Sequence, residues 1–212
     1  MNRFVMMGVQ GCGKGTQAAL LEQDLGLVHI SVGDIFRWHI QHGTELGAQV
    51  LRTVNAGQLV SDEVVDQVVK ARLAELDTEK GFVLDGFPRD HAQAEFLLNS
   101  YDIDAAIIIQ VPDDIVMQRV LARRLCSSCG LDYNLFYHRP KTPGVCDVCG
   151  GALLAREDDT DVAVRERLAE YHARTEPVIA LFKQRGRVIV ADGTASPEEV
   201  QRDIRRQLER QA

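Results

Sequence analysis

Apolar residues fall along this chain in short runs, each closed by a glycine, a proline or a small polar residue, with mixed stretches between them. The first run, RFVMM at 3–7, stops at Gly8 and predicts a buried strand. Runs at 28–30, 82–84, 105–111 and 187–191 predict four more, ended by Ser31, Asp85, Pro112 and Asp192. Helical spacing fills the gaps at 14–25, 62–76, 90–98, 113–125 and 197–210. Residues 159–185 read as one long amphipathic helix, with Val164, Leu168, Tyr171, Val178 and Phe182 on one face and a kink expected at Pro177. Strands alternating with helices imply a parallel sheet covered on both faces.

One stretch breaks this rhythm. Over 126–155, Pro, Gly, Cys and aromatic residues replace the helical pattern, which marks an inserted small lobe. It holds four of the five cysteines, Cys126, Cys129, Cys146 and Cys149, spaced C-x2-C-x16-C-x2-C. That spacing predicts a closed four-thiolate zinc site with a structural role, with iron or a pair of disulfides as the alternatives. A lobe well below about 40 residues cannot bury enough apolar surface to hold its own shape, and a metal supplies the missing rigidity. Cys12 lies far upstream and reads as a small filler.

The bulk composition narrows the partners. The 212 residues suit one large domain or one domain with a smaller insertion, and no apolar run reaches the roughly 18 to 20 residues of a membrane span. The start, MNRFVMMGVQG, leads too directly into Gly8 to read as a secretory signal, so a reducing cytoplasm is expected. A net charge of −7 argues against a long nucleic-acid footprint and leaves room for a cleft where a few arginines meet a few phosphates.

Such a cleft has an anchor. Gly8-Val9-Gln10-Gly11-Cys12-Gly13-Lys14 fits G-x-x-x-x-G-K between a predicted strand and a predicted helix, a loop whose N–H groups curl around phosphate oxygens while Lys14 reaches the β and γ phosphates. Gly15 stands where the magnesium-binding hydroxyl usually follows the lysine, and Thr16 comes one later, so a magnesium ion would lean on water and nucleotide oxygens. Arg37, Arg89, Arg119, Arg123, Arg156 and Arg167 sit beside motifs. Each alone reads as a surface charge; together they read as bidentate phosphate donors. Arg119 and Arg123, four apart, are expected on one helix face. No HRD-type catalytic loop supplies a base, and a phosphate acceptor needs none because its second pKa is about 6. Many arginines without a base predict transfer between two phosphates.

These residues resemble the adenylate kinases, nucleoside monophosphate kinases of the long-lid bacterial type. The resemblance rests on 11–17 (GCGKGTQ), 31–37 (SVGDIFR), 57–62 (GQLVSD), 81–89 (GFVLDGFPR) with Gln93, Arg119 and Arg123, Arg156 with Asp158-Asp159, Arg167-Leu168 with Tyr171, Thr175 and Pro177, and 192–194 (DGT). It implies a P-loop three-layer α/β fold: a core of 1–30, 61–121 and 160–212, a helical AMP-binding segment of 31–60 and a zinc-binding lid of 122–159. The implied reaction is MgATP + AMP ⇌ 2 ADP by in-line transfer. On the ATP side the resemblance implies Gly11, Cys12, Gly13, Lys14, Gly15, Thr16, Arg119 against adenine, Arg123, Asp132, Tyr133 and Ala195. On the AMP side it implies Val32, Arg37, Gln58, Leu59, Val60, Gly86, Phe87, Pro88, Arg89, Gln93, Arg156 and Arg167. Lys14, Arg89, Arg123, Arg156 and Arg167 are the implied catalytic set, and Asp34 and Asp85 order magnesium waters.

Three departures stand out: Val32 in place of a hydroxyl residue near the AMP base, Gln10 in place of a proline, and Tyr137-His138-Arg139 in place of Phe-Asn-Pro. Val32 keeps open a sibling enzyme acting on CMP or UMP, and the cysteines keep open a nucleic-acid-dependent ATPase. His138 is expected to be exposed or packed near nucleotide. The expected partners are ATP, AMP and ADP, with no nucleic acid or membrane, and the expected state is a monomer.

Overall fold

The computed structural model describes residues 2–185 and 188–211. Its strands are β1 (Asn2–Met7), β2 (Val28–Ser31), β3 (Gly81–Asp85), β4 (Ala105–Gln110), three short ones, β5 (Arg123–Cys126), β6 (Asp132–Asn134) and β7 (Leu153–Leu154), and β8 (Val188–Asp192). The helices are α1 (Lys14–Leu25), α2 (Val32–Gln41), α3 (Glu45–Asn55), α4 (Asp62–Leu73), α5 (His91–Ser100), α6 (Asp113–Leu121), α7 (Asp161–Glu170), α8 (Ile179–Arg185) and α9 (Pro197–Gln211).

Five strands pair in parallel in the order β2-β3-β1-β4-β8. Because side chains alternate across a strand, β1 sends Phe4 and Met6 to one face and Val5 and Met7 to the other. On β4, Ala105, Ile107 and Ile109 join the first set, while Ala106 and Ile108 join the second. The first face is covered from α1, α6, α7 and α9 by Leu21, Val116, Val164 and Ile204. The second is covered from α2, α4, α5 and α8 by Phe36, Val69, Leu97 and Phe182. Burial on both faces is why these strands read as unbroken apolar runs.

The expected strands and helices are present, with three corrections to the helices. The helix expected at 62–76 stops at Leu73, and a 3₁₀ turn, Leu76–Lys80, follows it. The helix expected at 113–125 ends at Leu121, and Arg123 begins β5, so Arg119 and Arg123 do not share a helix face. There the chain trades helix for a ladder, because β5 pairs antiparallel with β6 and β7 to form the lobe's sheet. The single helix expected at 159–185 is broken by a π-helical turn, Tyr171–Thr175, and a 3₁₀ turn, Glu176–Val178, upstream of α8. The break has a purpose in packing: Val164 and Leu168 join the cluster on one sheet face, and Val178 and Phe182 join the other. One straight stripe cannot serve two faces. The strand expected at 187–191 is β8; Arg187 lies outside the described residues.

The inserted lobe has a core of its own, made of Cys126, Tyr133, Cys146 and Leu153. Among the described residues no helix is long and apolar enough to cross a membrane.

Candidate active site

The loop between β1 and α1 closes tightly. A side chain at Gly8, where φ is +146°, would place its Cβ 2.5 Å from the Ile109 carbonyl oxygen, so only glycine lets the loop seat against β4. Gly13 holds the left-handed φ of 100° at the N-cap of α1, and no side chain caps that helix. Ser31, Thr44, Asp90 and Thr160 accept hydrogen bonds from the first turns of α2, α3, α5 and α7. The N–H groups of α1 are thus left for an anion. Lys14 donates to the Val9 carbonyl at 3.0 Å, which folds it over the loop. Cys12 is buried at 1% exposure as a filler, and burial pushes its thiol up. Thr16 is exposed.

The arginines come from separated parts of the chain, and the structure gathers them. Arg123 donates through Nε and Nη2 to the two Asp159 oxygens at 2.8 and 2.6 Å. Arg156 donates to both Asp158 oxygens at 3.2 Å, and Arg167 donates to Asp158 Oδ2 at 2.7 Å. Burial alone would raise the Asp158 carboxyl, but Arg156 and Arg167 hold it well below the usual carboxylate range. Arg89 is fixed by donation to the Gly86 carbonyl at 2.8 Å and by Thr175, whose hydroxyl donates to the Arg89 carbonyl at 2.7 Å. Loss of water pushes the Arg89 guanidinium down to about 10, and the positive charges of Arg167 and Arg37 add to the effect. Arg156 is lowered for the same reasons, burial first, then Arg123 and Arg37. Arg37, Arg89, Arg123, Arg156 and Arg167 lie close together with three paired carboxylates among them, Asp34, Asp158 and Asp159, which leaves unmet positive charge for an anion.

Arg37 donates to Asp34 on the same turn of α2, an ion pair that fixes both. Asp34 is therefore committed to Arg37, whereas Asp85 lies at the end of β3, 3.5 Å from where a Cβ on Gly15 would stand and 3.6 Å from His29 Nε2. Arg119 donates to the Gly193 carbonyl at 2.8 Å, beside exposed Ala195, and lies 5.2 Å from the Tyr137 ring centre.

On the other side of the cleft, Gln93 is 2% exposed. Its Oε1 accepts from the Arg89 backbone N–H at 2.8 Å and its Nε2 donates to Asp62 at 2.7 Å. Phe87 and Pro88 are buried beside Gly86, and Val32 is buried at 3% exposure, so it offers a base no polar group. Gln58 is exposed, and Leu59 and Val60 are partly buried. Gly57, just before them, packs so closely on α7 that a Cβ would stand 2.5 Å from the Ala163 carbonyl oxygen.

Within the lobe, the four Sγ atoms of Cys126, Cys129, Cys146 and Cys149 lie within 4.8 Å of one another, and none forms a disulfide. Zn–S bonds of about 2.3 Å place tetrahedral sulfurs about 3.8 Å apart, so the four residues fit a metal of that kind. Backbone N–H groups favour the anions: that of Cys149 leads in drawing Cys146 down to about 6. Cys149 itself, though the Gly151 N–H draws it down, is pushed up to about 12 by Cys126 and Cys129 beside it. Four thiolates cannot share this space without a cation among them. Tyr133, expected against ATP, is 2% exposed and its hydroxyl donates to Cys146 Sγ at 3.6 Å, so its ring belongs to the lobe's core. His138 is exposed, as one of the two expectations had it, and stacks on that ring with centres 4.8 Å apart. Asp132 is exposed next to it.

Asp158, Asp159 and Thr175 carry much of this geometry, and residue type gave them no role. Two adjacent acids between two motif arginines were the available signal.

The similarity to known proteins agrees with this arrangement. The family model described as adenylate kinase matches residues 6–187. An adenylate kinase of Caldicellulosiruptor saccharolyticus is 41% identical over 211 residues, covering 97% of this chain and 98% of its own length. That of Clostridium tetani is 44% identical over 206 residues, with 95% of each chain covered, and that of Acetivibrio thermocellus is 40% identical over 208 residues, again with 95% of each covered. A phosphate loop, a ring of arginines and a four-cysteine lobe thus occur together in a chain that belongs to the adenylate kinase family.

Proposed function

We infer that the chain catalyses reversible transfer of the terminal phosphoryl group of MgATP to AMP, giving two ADP. The observation that carries this reading is the convergence of Arg37, Arg89, Arg123, Arg156 and Arg167 on one site. An AMP phosphate arrives already ionised, so the task is to bring two anions into line and spread their charge.

Lys14 and the loop 11–16 hold the ATP phosphates, with Arg119, Arg123, Asp132, residue 133 and Ala195 on the same side. Arg37, Arg89, Arg156 and Arg167 hold the AMP phosphate and the group in flight. Gln58, Leu59, Val60, Val32 and 86–88 line the AMP base with Gln93. Asp85, and Asp34 beyond its pairing with Arg37, order waters on magnesium, which when bound neutralises charge on the phosphate oxygens. The four cysteines hold structural zinc in the lid, 122–159, which closes over the core of 1–30, 61–121 and 160–212 and the AMP segment of 31–60 and keeps water from the γ-phosphate. The enzyme works as a cytoplasmic monomer on nucleotides alone.

Acceptor choice follows from Gln93. Asp62 only accepts and the Arg89 N–H only donates, so the Gln93 amide has one sense, with one N–H and one lone pair to spare. That pair complements the ring nitrogen and amino group of adenine. It also complements the same edge of cytosine, and buried Val32 favours neither, so CMP is the second reading. Guanine and uracil present the reverse order. ADP formation with AMP, CMP, UMP and GMP tests both: AMP should give the highest kcat/KM, and a higher value with CMP or UMP would overturn the assignment.

A further inference from the structure

We propose that Gln10 is a positioning residue that sets the distance between the phosphate loop and the arginines, a role resting on the reaction above. Gln10 Nε2 donates to Asp159 Oδ1 at 2.8 Å, and Gln10 Oε1 accepts from Arg167 Nη1 at 2.7 Å. A carboxylate only accepts and a guanidinium only donates, so the amide has a single sense here. Asp159, its side chain 2% exposed, also takes both donors of Arg123. One side chain in the middle of the loop thus reaches the arginine at the lid edge through Asp159 and the arginine on α7 directly. The loop and Arg123 work on the ATP phosphates and Arg167 on the AMP phosphate and the group in flight, so a fixed link among them keeps the reacting atoms in line.

The amide also suits its place electrically. Asp159 and Asp158 already balance part of the arginine charge, and a third carboxylate at 10 would oppose an incoming phosphate, whereas a neutral amide ties the pieces and leaves the field intact.

The test uses four variants of the full chain: Gln10→Met, which keeps the length and removes both hydrogen bonds; Gln10→Glu, which keeps the acceptor for Arg167 and faces Asp159 with a like charge; Asp159→Asn, which removes the carboxylate; and Gln10→Glu with Asp159→Asn, which exchanges donor and acceptor at unchanged net charge. Gln10→Met should lower kcat about 10- to 100-fold, as loss of hydrogen bonds to charged groups does, with KM for ATP and AMP each changed less than about 3-fold and the melting temperature within about 2 °C. The double variant should be at least about 5-fold faster than the product of the two single losses requires. Wild-type kcat in Gln10→Met, or single losses that multiply in the double variant, would overturn the role. If Gln10→Met fails to fold, the Gln10→Glu and Asp159→Asn cycle decides alone. Wild-type enzyme that makes no ADP from ATP and AMP defeats the reaction itself, an outcome separate from either of these.

Discussion

The central sheet and the inserted lobe are held by different means. The sheet is packed on both faces, with Val5, Val83, Ala106 and Ile107 all at 0% exposure. The lobe has three short strands around four buried residues, two of which are cysteines. Burial of apolar surface at about 25 cal/mol per Å² is ample for the first and far too little for the second. One chain thus contains a part that folds by excluding water and a part whose four clustered cysteines could hold a metal. One arginine–aspartate pair lies where the two meet: Arg123 begins β5 of the lobe, and its partner Asp159 immediately precedes the Thr160 cap of α7.

The comparison can be broken first at the sheet. Ile107→Ala empties a site at the centre of β4 and should cost roughly 2–5 kcal/mol, lowering the melting temperature by on the order of 5–15 °C for a chain of this size. Calorimetry reads it, and metal content should be unchanged. A loss below about 1 kcal/mol would mean that the sheet is not the stabilising unit.

The junction comes next. Arg123→Lys keeps a charge and loses the fork that grips Asp159, and should slow kcat on the order of 100-fold with a small change in melting temperature. Near-normal turnover would remove Arg123 from the reaction.

The smallest effect lies on the surface of the core. His172, nearly half exposed, bridges Glu176 at 2.8 Å and Asp113 at 3.1 Å. Its hydrogen bond to Glu176, then Asp113, raise its pKa against a small loss of water. A raised cation contributes below the unfolded value, about 6.5, and the contribution is lost as pH climbs through the higher folded value. His172→Ala should therefore cost a few tenths of a kcal/mol at pH 6 and nothing at pH 9. A loss of equal size at both pH values would show that packing, not charge, is what His172 supplies.

Both regions were legible in the sequence to different depths. Apolar runs such as 105–111 locate the parallel strands because both faces are buried, and the cysteine spacing locates the lobe. The break at 171–178 was legible only as the kink expected at Pro177, which lies in the 3₁₀ turn; Val164, Leu168, Val178 and Phe182 keep helical spacing, and only the tertiary need to cover opposite faces of one sheet divides them. Arg123 was misplaced for a similar reason, since its strand exists only through pairing with residues 132–134. The phosphate loop and the arginines could be named from their motifs. The Gln10 link depends on contacts across 149 and 157 residues, which no local pattern encodes.

Hydrogen exchange with and without a zinc chelator tests the central claim most directly. Loss of protection confined to 123–154, with β1 and β4 as protected as before, is the predicted result. Protection lost across the central sheet, or kept throughout the lobe once metal analysis shows it empty, would contradict it.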